Sequence, residues 1–224
     1  MIRKILAIIW FALIPCCVAA QHWVDSLCNT LTVEAKIGQL FIMPVRSTYD
    51  SKDESVENIK TQISQYHIGG VLFTGGHAVR QATLTNQFQR LSSLPLLVAQ
   101  ELPAGLGTQL DSTLRFPDAL ALGALAHDSL VYQLGKETGR QMKALGVHIN
   151  FAPYANVWQR TGAPANVHTF GSNPAMVGNK AVAFFKGMRE QGVMACAKNF
   201  YVSGAAIMGG HGEVPLLSVD TALI

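Results

Sequence analysis

Residues 128–153 read DSLVYQLGKETGRQMKALGVHINFAP. Asp128 to Leu145 carries its apolar residues at helical spacing and stops at Gly146, the residue type that most readily ends a helix. Val147 to Pro153 follows as a short apolar run bounded by glycine and proline, the mark of a buried strand. The same alternation recurs on both sides. Strand-like runs lie at Gln39–Val45, Gly70–Thr74, Leu96–Gln100 and Val193–Phe200. Helix-like segments lie between them: Ser55–Gln65, with Val56, Ile59 and Ile63 on one face and Asp53 as candidate cap, then Arg80–Leu91. Another opens at Asn173-Pro174, runs to Glu190 and is followed by Gly192, with proline in the first turn, where its missing N–H costs nothing.

Strands alternating with helices predict an α/β chain with a parallel sheet, covered on both faces by helices and joined by right-handed crossovers. Two architectures satisfy this: an open doubly wound sheet, or a run of βα units from a barrel. In both, chemistry belongs at the C-terminal ends of the strands. Those ends are Val45-Arg46, Thr74 to His77, Glu101, Tyr154 to Asn156 and the segment Lys198 to Glu213.

Composition bounds what those ends serve. Of the 224 residues, 49% are hydrophobic and 14% charged, against about 25% charged in an average domain, so a packed core is expected and disorder is excluded. The length suits one domain and is short of a complete large barrel, about 250 residues. Met1 to Lys4 is basic and Ile5 to Val18 apolar, with the small residues Ala19 and Ala20 before Gln21. This predicts a signal peptide over residues 1–20 and export to the periplasm or medium. Uncleaved anchoring and acylation at Cys16 or Cys17 are lesser readings, the latter because Pro15 fits a lipoprotein signal poorly. No transmembrane anchor is expected after cleavage.

Lysine and arginine number 17 against 14 acidic residues, a formal charge of +3 that falls to +1 once Arg3 and Lys4 leave. With no basic cluster, nucleic acid is not an expected partner. Cys28 and Cys196 remain after cleavage. They make neither a disulfide framework nor a zinc site, and Cys196, inside Val193 to Ala197, reads as a buried thiol in preference to half of a Cys28–Cys196 disulfide.

Several templates fail on their residues. Gly105-Leu106-Gly107 starts like a dinucleotide loop but has no third glycine. Ser203 lacks the first glycine of a nucleophile elbow. His77 and His211 have no second His or Cys at ligand spacing, so neither metal nor cofactor is expected.

A set of ordered motifs is more specific. They are Trp23 to Leu27 with Leu31-Thr32 and Lys36 to Phe41; Ile68 to Phe73; Pro95 to Ala99; Leu110 to Thr113 with Arg115-Phe116-Pro117; Ala121 to Ala124; Gly135 to Gly146; Asn150 to Pro153; Phe170 to Pro174; and Ala195 to Lys198. In this order, across nearly the whole chain after residue 20, the sequence resembles the N-terminal domain of glycoside hydrolase family 3. Within that family the sequence looks like the bacterial β-N-acetylhexosaminidases, which remove terminal N-acetylglucosamine from cell-wall or glycan fragments. The resemblance implies the barrel: residues 21–224 would form an incomplete TIM (β/α)8-type barrel with about five βα units.

Retaining glycosidases use a nucleophile and a second group that first protonates the leaving oxygen and then activates water. In the resembled family these are an Asp after the seventh strand and a His in an Asp-x-His pair after the fifth. The family's Lys-His-Phe-Pro-Gly-His-Gly run reads Lys198-Asn199-Phe200-Tyr201-Val202-Ser203-Gly204 here, and its Asp-x-His pair reads Gly209-Gly210-His211. The resemblance thus implies His211 as a degenerate acid/base and Glu101, His168, Lys198 and Asn199 as saccharide-binding positions. Glu101 replaces an Asp, His168 an Arg, and Asn156 an Asp. A strand-end ion pair is the alternative account of Glu101 and Lys198, and Glu213 a candidate replacement for the missing Asp.

Losing the Asp removes the charge that steadies an imidazolium, and general acid/base losses of this kind run to roughly 10²–10⁴-fold. With five strand signals before Ile224, the nucleophile position is not met. The expectation is an exported glycosidase of this family acting on terminal β-linked N-acetylglucosamine, inactive or very weak in this chain. The alternative is a non-catalytic module that binds a glycan or cell-wall saccharide, or one whose missing barrel half comes from a partner chain.

Overall fold

The computed structural model describes residues 23–48, 54–158 and 167–199. Helix α1 (residues 23–30) and helix α2 (Val33–Gly38) lead into strand β1 (Ile42–Ser47). Helix α3 (Glu54–Tyr66), strand β2 (Gly70–His77), helix α4 (Ala78–Leu91) and strand β3 (Leu97–Gln100) follow. After a 3-10 turn come strand β4 (Leu110–Asp111), helices α5 (Ala119–Gly123) and α6 (Ser129–Ala144), strand β5 (Ile149–Asn150), helix α7 (Pro174–Glu190) and strand β6 (Met194–Ala195).

All pairings are parallel, and the sheet runs β1-β2-β3-β5-β6, with the short β4 beside the end of β2. Strand order follows chain order without reversal, which decides between the two architectures. A doubly wound sheet reverses direction at a switch point, whereas successive right-handed crossovers stepping one way put every helix on one face, as in a barrel. Helices on both faces were expected from the sequence; the single winding direction corrects this.

The register shows the two faces. Val45, Phe73, Gln100, Asn150 and Ala195 are partners along one row, and the first four are 0–2% exposed. Helical side chains cover this row: the Phe73 ring stacks on Phe88 of α4 with centroids 6.5 Å apart, and the buried amides of Gln100 and Gln81 donate to each other at 2.9 and 3.0 Å. The other face carries the row Pro44, Leu72, Ala99, Ile149 and Met194. It is open at its margins, where Pro44 is exposed and Met194 is 52% exposed. Cys196, two residues beyond Met194, is free and exposed, as is Cys28. This corrects the buried-thiol expectation and gives no Cys28–Cys196 disulfide.

Local rules account for most elements. Val56, Ile59 and Ile63 are the buried face of α3. Asn173 caps α7 by accepting from the Met176 N–H at 3.0 Å, with Pro174 inside the first turn. Gly146 and Gly192 follow α6 and α7 at φ 72° and 78°. Helices α6 and α7 approach closely because both carry glycine at the crossing: a Cβ at Gly135 would lie 2.2 Å from the Phe184 oxygen, and one at Gly187 2.2 Å from the Tyr132 oxygen. Beneath this pair Lys180, 1% exposed, donates to the Leu125 carbonyl at 2.9 Å and Asp128 Oδ1 at 3.1 Å. The expected cap Asp53 lies outside the described residues.

Candidate functional site

Four side chains from four strand-end and loop positions meet at the C-terminal end of the sheet. Gln100 points toward the helices, so the strand period of two turns its neighbour Glu101 to the opposite, open face. The backbone after Glu101 is fixed by Asn150 of β5, whose Oδ1 accepts from the Leu102 N–H at 2.9 Å and whose Nδ2 donates to the Leu102 carbonyl at 3.2 Å. Tyr154 lies beyond β5 and pairs in parallel with Lys198 beyond β6. The Lys198 N–H donates to the Pro153 carbonyl at 3.1 Å and the Ala155 N–H to the Lys198 carbonyl at 2.9 Å. His168 lies in the loop before α7, next to the fully buried Thr169, whose hydroxyl donates to the Asn156 carbonyl at 2.6 Å.

The four groups engage one another. Lys198 Nζ is 2.6 Å from Glu101 Oε2, with the side chains 33% and 31% exposed. The Tyr154 hydroxyl donates to the other carboxylate oxygen, Oε1. Lys198 Nζ stands 4.9 Å from the centre of the Tyr154 ring, within the range of cation–π attraction. The His168 ring lies on the same tyrosine at 5.1 Å, tilted by 33°.

Burial raises the Glu101 pKa. The hydrogen bonds from Lys198 and Tyr154, with the charges of Lys198 and His168, outweigh it and hold the carboxyl below its ordinary 4.5. Burial and the Glu101 carboxylate both push the Tyr154 phenol up, so it remains a proton donor at any physiological pH.

Of the residues singled out in the sequence, Glu101, His168 and Lys198 are brought together. The strand-end ion pair of Glu101 and Lys198 is present as an element of the same cluster. Asn199 follows Lys198, is exposed and holds a left-handed φ of 58°, which asparagine tolerates better than most residues. His211 and Glu213 lie outside the described residues. Tyr154 was visible as a strand-end residue but carried no assigned role; a large aromatic directly after Asn150 to Pro153 was the available signal. Asn156 Oδ1 is buried without a hydrogen-bond partner among the described residues. His77 and Asp111, opposite each other at the ends of β2 and β4, form a looser exposed pair at 3.7 Å. No group of three or more His, Cys, Asp or Glu suited to a metal ion occurs among the described residues.

A one-way parallel α/β sheet with polar groups gathered at its C-terminal edge defines a barrel-type fold of the kind enzymes use. The sequence matches the glycosyl hydrolase family 3 N terminal domain over residues 32–224, and the chain belongs to that family. It is 30% identical over 191 residues to the β-hexosaminidase LpqI of Mycobacterium tuberculosis, covering 82% of this chain and 44% of that protein. It is 26% identical over 201 residues to a β-N-acetylglucosaminidase/β-glucosidase of Cellulomonas fimi, covering 88% of this chain and 35% of that protein. The solved structure of the β-glucoside phosphorylase BglX bound to 2FGlc superposes with a TM-score of 0.73 at 24% identity, covering 82% of this chain and 32% of BglX. This chain thus spans less than half the length of these relatives.

Proposed function

We propose that the strand-end cluster is a saccharide site for a terminal β-linked N-acetylglucosamine, and that this chain hydrolyses the bond very weakly or not at all. The observation that carries the binding part is the convergence of Glu101, His168 and Lys198, positions implied as sugar contacts by the family resemblance, at one strand-end point. A carboxylate and an ammonium held together provide an acceptor and a donor for neighbouring sugar hydroxyls. The relative named β-hexosaminidase LpqI supports this sugar, while the Cellulomonas fimi relative is named for both N-acetylglucosaminidase and β-glucosidase activity.

Weak hydrolysis follows from the residues available as acid/base. Gly209 stands where an Asp would pair with His211, and Asn199 and Ser203 replace the histidines of the family run. Without a carboxylate partner an imidazole loses the group that fixes its tautomer and stabilises its charged form. Export through residues 1–20 places such a site where cell-wall and glycan fragments occur; among the described residues no helix is long and apolar enough to cross a membrane.

Release of chromophore from nitrophenyl N-acetylglucosaminide by the purified chain tests the catalytic part. The expected result is release at or near the uncatalysed rate. Clear turnover that disappears in His211→Ala would overturn it.

A further inference from the structure

Three of the site's groups share one neighbour. Lys198 covers the Tyr154 ring, His168 lies on it, and Glu101 accepts its hydroxyl. With Lys198 on Oε2, each oxygen of the Glu101 carboxylate already has a donor from within the protein. A ligand hydroxyl bonding to Oε1 would meet the phenol already engaged there.

We propose that Tyr154 is an internal occupant of the saccharide site: its hydroxyl already donates to the Glu101 oxygen that a sugar hydroxyl would use, so a ligand competes with the phenol for the acceptor positions of that oxygen. This rests on the saccharide reading above and adds the residue that sets affinity and selects among ligands. The Tyr154 backbone is anchored by its pairing with Lys198, so displacement requires only side-chain rotation. A ligand that pushes the phenol aside without donating to Glu101 leaves a half-buried carboxylate oxygen one donor short, which is costly. The occupant therefore discriminates against ligands whose hydroxyl at that point is missing or blocked.

Calorimetric titration of N-acetylglucosamine into the full chain tests this, using wild type, Tyr154→Phe and Tyr154→Val. Hydrogen bonds to charged groups are among the stronger ones, so freeing Oε1 in Tyr154→Phe should tighten binding about tenfold. Tyr154→Val should bind tighter than wild type as well. A second readout is the carboxyl carbon resonance of Glu101, whose titration midpoint should rise in Tyr154→Phe. Equal or weaker binding by Tyr154→Phe than by wild type overturns the occupant role while leaving the saccharide reading intact. Absence of binding in all three proteins overturns the saccharide reading and the occupant with it. If Tyr154→Val fails to fold, Tyr154→Phe, which keeps the ring, decides alone.

Discussion

Lys198 Nζ and Glu101 Oε2 are 2.6 Å apart across the end of the sheet, joining the segment after β6 to the end of β3 over the intervening strand β5. Tyr154, which follows β5, sits in that gap and touches both partners. Each charged side chain is about one-third exposed, so solvent screens their attraction. A double-mutant cycle of Glu101→Gln and Lys198→Met, read by urea unfolding, should give a coupling of about 0.5–1 kcal/mol. Zero coupling would mean the pair contributes geometry but no net stability.

Acid should weaken the same contact. Because the folded-state pKa of Glu101 lies below its ordinary 4.5, the ionised carboxylate stabilises the fold fully above about pH 4.5, and that contribution is lost as pH falls through the lowered value. Wild type should therefore lose stability on acidification below pH 4.5 more steeply than Glu101→Gln, measured by unfolding at a series of pH values. Parallel profiles for the two proteins would contradict the assignment.

Lys180 and Asp128 form a second ion pair with unequal surroundings. The lysine side chain is 2% exposed and the aspartate 43%. Removing the aspartate leaves a buried ammonium with the Leu125 carbonyl as its remaining partner among the described residues, whereas removing the lysine leaves a carboxylate that water reaches. Asp128 makes no side-chain cap to α6, so its loss reports the ion pair without a lost cap bond. Asp128→Ala should cost about 2–3 kcal/mol and Lys180→Met about 1–2 kcal/mol. The reverse order in denaturant unfolding would contradict this reading of burial.

Two glycines of α7 should respond oppositely to the same change. A Cβ at Gly187 would meet the Tyr132 oxygen at 2.2 Å and the Lys136 nitrogen at 2.6 Å, whereas one at Gly178 meets nothing within 4 Å. Gly187→Ala should destabilise by about 2 kcal/mol or more through overpacking against α6. Gly178→Ala should stabilise by about 0.5–1 kcal/mol, since alanine restricts the unfolded helix segment and gains propensity. Thermal unfolding of the two variants checks both signs.

Those contrasts also show what a sequence discloses. The buried face Val56-Ile59-Ile63, the cap at Asn173 and the stops at Gly146 and Gly192 were legible because each follows from residue type and spacing within one element. Strand limits were less so. Val147–Pro153 and Val193–Phe200 read as long strands, yet β5 and β6 keep two residues each and continue as the single bridge Tyr154–Lys198. Apolar runs mark burial, whereas strand length depends on pairing with segments distant in sequence.

The short elements α2, β4 and α5, of six, two and five residues, are below the length at which periodicity gives a signal. At the site, Glu101 and Lys198 stood out as charges at strand ends. The role of Tyr154 did not, because it arises from three neighbours contributed by separate parts of the chain. The exposure of Cys196 was missed for a related reason: its run is apolar, but it lies on the open face of the sheet.

Glu101, His168 and Lys198 are together the proposed saccharide site. Calorimetric titration of the full chain with N-acetylglucosamine tests it most directly, alongside Lys198→Ala. The prediction is saturable binding by wild type, weakened about tenfold or more in Lys198→Ala. A flat titration for wild type and for Tyr154→Phe, with both proteins folded, would contradict it.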